Sequence, residues 1–147
     1  MNTKLWSVVA GAVVVVLLAA SAAAGGRTMT PMKFSASLNI KQEVPKETGA
    51  PATAAGKFTG VIVAGKTLKW TLTFSHLTGK ALAAHIHAGA PGKSGPVLIP
   101  LCSPCKSPMS GSVKVTDSQM TTLTKGKTYV NVHTAKNPNG EIRGALM

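Results

Sequence analysis

Thr67-Leu68-Lys69-Trp70-Thr71-Leu72-Thr73-Phe74 carries an apolar side chain at every second position. Side chains alternate across a strand, so Leu68, Trp70, Leu72 and Phe74 share one face and Thr67, Lys69, Thr71 and Thr73 the other. This is the pattern of a half-buried strand. Upstream, Ala54 to Val63 reads as its partner and Gly65-Lys66 as a tight turn, which together predict a hairpin. From Lys33 the same alternation recurs, with Phe34, Ala36, Leu38 and Ile40 facing one way. Further strands are expected over Ala81 to Ala88, Val97 to Leu101, Gly111 to Thr116, Thr128 to Thr134 and Glu141 to Leu146. Stretches rich in Gly, Pro and Asn separate them. Asp117 is expected to cap one helical turn over Ser118 to Leu123. Short strands at this spacing, with almost no helical signal, predict one all-β domain, an antiparallel β-sandwich or Greek-key-like barrel.

The chain has 147 residues, which suits a single domain. Composition excludes a polytopic membrane protein, a collagen-like chain and a cysteine-stapled mini-protein. The first residues have their own logic. Lys4 precedes an uncharged apolar run from Leu5 to Ala20, followed by Ser21-Ala22-Ala23-Ala24-Gly25. That order predicts a secretory signal peptide over residues 1–24, cleaved after Ala24. The alternative is an uncleaved anchor, although the run is shorter than the roughly 20 residues that span a bilayer comfortably. Residues 25–32 read as a flexible leader and 33–147 as the β domain. The expected location is therefore secreted, periplasmic or cell-surface, with membrane contact only if the segment stays uncleaved.

Export bears on the two cysteines. Cys102 and Cys105 form Cys-Ser-Pro-Cys, and in an oxidising compartment a local disulfide is the expectation. A redox pair would need a helix opening on the motif, and Lys106-Ser107-Pro108 does not read as one. Copper or zinc ligation by the thiolates is the third alternative. The formal charge is +12, from 16 Lys and Arg against 4 Asp and Glu. An anionic surface is one partner this charge suits; a solvated basic face is the other reading. The lysines are scattered singly and aromatics make up only 4%. No base-stacking platform is expected, and so no specific nucleic-acid partner.

The four histidines are His76, His85, His87 and His133. His85 and His87 lie two apart in a predicted strand, hence on one face. His133 shares a face with Tyr129 and Asn131 in another. If the two strands are neighbours, three neutral imidazoles form an open site suited to copper(II) or zinc. The competing reading is a polar hydrogen-bonding row. His76, at the end of its strand, is a weaker fourth candidate. Glu141 and Arg143 fall on one face of the last strand. They either orient a histidine from outside the ligand set or form cross-strand ion pairs. No Ser-His-Asp set, paired carboxylates or phosphate loop is visible.

Several motifs together carry a resemblance. They are Gln42-Glu43-Val44-Pro45, Ala84-His85-Ile86-His87-Ala88-Gly89-Ala90-Pro91-Gly92 with Gly95-Pro96-Val97, Tyr129-Val130-Asn131-Val132-His133-Thr134, and Asn137-Pro138-Asn139-Gly140-Glu141-Ile142-Arg143-Gly144. In this order and spacing they resemble the CHRD (chordin-type) domain, over about Lys33 to Met147. The resemblance implies a β-rich extracellular module. It carries over to His85, His87, Tyr129, Asn131, His133, Glu141 and Arg143. His76, the Cys-Ser-Pro-Cys loop and the ending Gly144-Ala145-Leu146-Met147 fall outside the matched motifs. A looser likeness, in the His-x-His pair, the β pattern and the late arginine, is to copper–zinc superoxide dismutases. Four histidines are too few for both metals of that family, so only a copper-only site would correspond. The chain thus reads as an exported binding or structural module with a histidine copper or zinc site, more readily than as an enzyme. The alternatives are a copper-only dismutase-like enzyme and a structural or adhesive module without metal.

Overall fold

The computed structural model describes residues 30–147. The signal peptide expected over residues 1–24, and most of the leader expected over 25–32, lie outside the described residues. Among the described residues there are eight strands: β1 (Met32–Asn39), β2 (Ala55–Val63), β3 (Thr67–Ser75), β4 (Ala81–Ala88), β5 (Val97–Cys102), β6 (Met109–Lys114), β7 (Thr128–Thr134) and β8 (Ile142–Ala145). A 3-10 turn, Ile40–Gln42, follows β1, and the one α-helix, α1, spans Asp117–Thr124. No helix among the described residues is long and apolar enough to cross a membrane.

All strands join one antiparallel sheet in the order β5-β4-β7-β8-β1-β2-β3-β6. The sheet curls into a nearly closed barrel, so the expected all-β, single-domain architecture is the one observed. The alternation explains the curling. Leu68, Trp70 and Leu72 of β3 are buried, as are Ala36 and Leu38 of β1, Phe58 and Ile62 of β2, Ile86 of β4, and Val130 and Val132 of β7. These inward faces from both halves of the sheet form one core cluster. Each large apolar side chain so buried contributes about 1.5–3 kcal/mol from removal of its surface from water.

Some boundaries differ from the sequence reading by a residue or two, and three of the differences are instructive. The sixth strand starts at Met109 rather than Gly111, because Met109 and Ser110 pair with Leu72 and Thr71. The helix is capped by Thr116, not Asp117: Thr116 accepts from the Gln119 amide while the Gln119 side chain accepts from the Thr116 amide. The reciprocal pair satisfies two amide donors that a lone Asp117 in the first turn would leave open. The last strand is shorter, and Glu141 lies just ahead of it.

The two long connections and one tight turn set up the site. The β1–β2 connection, the β4–β5 loop and the β7–β8 turn fold over the outer face of β4, β7 and β8. They are tied together: Ser94 Oγ donates to Val44 O at 2.6 Å, and the Thr48 amide donates to Asn137 Oδ1 at 2.7 Å.

Candidate metal centre

β4 and β7 are neighbours, with His85 opposite Asn131 and His87 opposite Tyr129. Ile86 points inward and is 1% exposed, which puts His85 and His87 on the outer face. Tyr129, Asn131 and His133 take that same outer face of β7. One strand further, Arg143 on β8 opposes Asn131. The register thus gathers His85, His87 and His133 into a group whose nearest ring nitrogens all lie within 4.8 Å of one another. His85 Nδ1 and His133 Nε2 are 3.2 Å apart. A tetrahedral ion with bonds of about 2.0–2.1 Å separates its ligand nitrogens by about 3.3–3.4 Å. The His85–His133 pair is therefore near ligand spacing already.

The outer nitrogens are committed. His87 Nδ1 bonds the Gly95 carbonyl at 3.0 Å, and His133 Nδ1 bonds the Pro138 carbonyl at 3.0 Å. A carbonyl can only accept, so in each ring Nδ1 carries the proton and Nε2 presents its lone pair. This is how metal-ligating histidines are usually oriented. His87 Nε2 is buried and has no hydrogen-bond partner. An unpartnered buried acceptor is costly, about 1–3 kcal/mol, unless something fills it.

The electrostatics keep all three rings neutral at pH 7. Burial lowers the pKa of His85, helped by the His87 ring. Burial also lowers that of His87, against the Gly95 hydrogen bond and with the help of Arg143. His133 is pushed down to about 4, by burial first and then by His85 and His87, against the bond to Pro138. Neutral imidazole is the ligand form, and burial supplies it without help from the ion.

The surroundings hold the triad in place. The Tyr129 ring stacks on His87 at 4.9 Å with the planes 8° apart. The Arg143 guanidinium carbon lies 3.4 Å from the centre of the Tyr129 ring. Arg143 Nη2 donates to Lys93 O at 2.6 Å, fastening the β4–β5 loop whose Gly95 carbonyl orients His87. Glu141 fastens the other loop. It is fully buried and accepts from the Thr78 amide, Thr78 Oγ1, Thr134 Oγ1 and Asn137 Nδ2. Burial would raise its pKa, but these bonds outweigh it and hold the carboxyl below its ordinary value. Glu141 thereby pins the Asn137–Gly140 turn that offers Pro138 O to His133. Gly140 sits in that turn at φ 133°, and a Cβ there would lie 2.4 Å from Asn131 Oδ1. Only glycine fits both the conformation and the approach.

The sequence reading of these residues is corrected in two places. His76 is not in the group: it is exposed, adopts φ 57° beyond β3, and its Nδ1 meets Ser75 Oγ. The positive φ turns the chain away at the strand end. Glu141 and Arg143 form no ion pair; among the described residues the one ion pair is Lys66–Asp117. Glu141 is saturated by neutral donors, and Arg143 lies over a ring face with Nη2 on loop carbonyls and Nη1 unpartnered.

One site residue was missed. Glu43 is 3% exposed, and both its carboxylate oxygens accept from Asn131 Nδ2, at 3.0 and 3.1 Å. Burial raises its pKa to about 7, against the pull of Asn131 and Arg143. Its signal was its place in Gln42-Glu43-Val44-Pro45, one of the motif segments, in a chain with only 4 acidic residues. The Cys102 and Cys105 sulfurs are at bonding distance, 2.08 Å, at the end of β5, where they join the core rather than the outer face of the triad.

The CHRD domain family model matches residues 34–146. The chain belongs to the CHRD-domain family. Neither a curated protein nor a solved structure matches it. The match covers the whole sheet of this CHRD domain except its first two residues, and so every residue of the triad and its supports.

Proposed function

We propose that this CHRD-domain chain is an exported binding module that holds one copper(II) or zinc ion through His85, His87 and His133. The observation that carries the reading is His87 Nε2: buried, unpartnered, and aimed by a ring whose other nitrogen is tied to Gly95 O. Imidazole ligands suit copper and zinc, and three of them leave a coordination position open. Export rests on the signal-like order of residues 1–24 and agrees with a Cys102–Cys105 disulfide.

A binding role is favoured over a dismutase-like one. The arginine that suggested the analogy is 3% exposed and is engaged by Tyr129, Lys93 and Ala90. Buried beside Tyr129, it presents no solvent-facing guanidinium to draw an anion to the ion. Copper and zinc titrated calorimetrically into the exported protein, purified without a histidine tag, test the reading. One equivalent should bind, and His87→Ala should weaken it by about 100-fold or more. Binding no tighter in the wild type than in His87→Ala would leave a structural module with a polar histidine row. Superoxide dismutation by the copper-loaded form would restore the enzyme alternative. Intact mass checks export: the chain should begin near Gly25, and a mass retaining Leu5 to Ala20 would mean an anchor.

A further inference from the structure

β1, β2, β3 and β6 leave their outer face bare. In register across these strands, Phe34 opposes Gly60, Gly60 opposes Trp70, and Trp70 opposes Gly111. Their backbone is the floor of a trough of about 920 Å³, with Met147 at its β1 end. The residues one step to either side stand up as walls. One wall carries Lys33 and Lys69 with Val61 between them. The other is a row of hydroxyls, Ser35, Thr59, Thr71 and Ser110. Strands lie about 4.8 Å apart, so the two lysines stand about 10 Å apart along a trough about 15 Å long.

None of the four strands contains Asp or Glu, while Lys57 and Lys114 add to the cationic face. Of the chain's acids, Glu43 and Glu141 are buried and Asp117 is paired with Lys66. No acidic side chain of these strands offsets the charge of Lys33 and Lys69.

We propose that this trough binds a linear anionic polysaccharide, its carboxylates against Lys33 and Lys69 and its hydroxyls along the Ser/Thr row. The recessed floor and parallel walls fit an extended chain rather than the flat surface of a bilayer. The face offers no arginine fork for bidentate recognition of one carboxylate or phosphate, whereas separated ammonium groups beside a hydroxyl row suit charges and hydroxyls spaced along a sugar chain. The proposal is independent of the metal reading, because the triad lies on the other half of the sheet.

The test is titration with oligogalacturonate at low salt, followed by amide shifts in the full exported protein. Uncharged maltooligosaccharide, polyphosphate and phosphatidylglycerol vesicles are run alongside. Shifts should map to residues 33–35, 59–61, 69–71 and 110–112. The double variant Lys33→Gln/Lys69→Gln should bind about tenfold more weakly, each exposed pair contributing modestly. The same charge removed at Lys125→Gln/Lys127→Gln should cost about twofold or less. All four sites are exposed, and thermal melts confirm folding. Equal losses in the two double variants, or shifts mapping elsewhere, would overturn the trough. Tighter binding of polyphosphate or vesicles through the same lysines would overturn the polysaccharide.

Discussion

On β3 the outward residues Lys69, Thr71 and Thr73 are exposed; on β7 the outward residues Tyr129 and Asn131 are 4% and 2% exposed. Both strands are interior to the sheet and both bury their inward side chains. The difference lies in what crosses over them. β2 and β3 are joined by a tight turn that covers nothing. The long connections around β4, β7 and β8 fold back across the outer face and tie to one another. A polar side chain on the open half is satisfied by water. On the covered half each must find a partner inside, and His87 Nε2 is among the buried atoms that do not. Covering an outer face turns ordinary polar residues into a site.

The comparison predicts where substitutions hurt. Glu141→Ala should destabilise by about 3–5 kcal/mol in urea unfolding, since it strands the donors of Thr78, Thr134 and Asn137. A loss near that of a surface residue would mean the covered half is wetter than described. His87→Ala should weaken copper or zinc affinity by about 100-fold or more, whereas His76→Ala should leave it near the wild-type value. Equal effects of the two, read by calorimetry, would dissolve the distinction between the triad and the solvated histidine.

The covered half should also show opposing pH dependences. Glu43 is raised from 4.5 to about 7, so the folded state holds its proton longer. Its contribution is full below about 4.5 and is lost as pH rises through about 7. His133 is lowered from 6.5 to about 4, so the unfolded chain takes up the proton first. Its contribution is present above 6.5 and is lost as pH falls toward about 4. Glu43→Gln should therefore make metal-free stability climb more steeply with pH between 4.5 and 6.5 than in the wild type. Parallel stability curves for the two proteins would refute the assignment. On the open half, Lys57→Ala should change stability by no more than about 0.5 kcal/mol, a control by the same urea method.

Much of this was legible beforehand. The period-2 pattern placed all eight strands, and the i, i+2 spacing of His85 and His87 gave their common face. His133 was legible as a candidate because it shares a pattern with Tyr129 and Asn131. Its nearness to His85 was not, because 48 residues separate them and only the β4–β7 pairing joins them. His76 reads as the weaker candidate from its place at a strand end outside the motifs, but its positive φ is invisible in the letters. Glu43 was hidden because it sits in a turn, where periodicity says nothing about burial. For Glu141 and Arg143 the letters left cross-strand ion pairs and a supporting role beside the histidines both open, because charge is visible in a sequence and saturation by neutral donors is not.

The sequence by itself determined the strands, their inward faces, the all-β class and the histidines that are candidate ligands. Those follow from local rules: a side chain's face depends on its neighbours two positions away. Only the tertiary structure decided which strands lie side by side, which outer face the loops cover, and which ring nitrogens are left unpaired. Strand order and loop coverage depend on contacts between residues far apart in the chain, and burial of a polar atom is a property of everything packed around it.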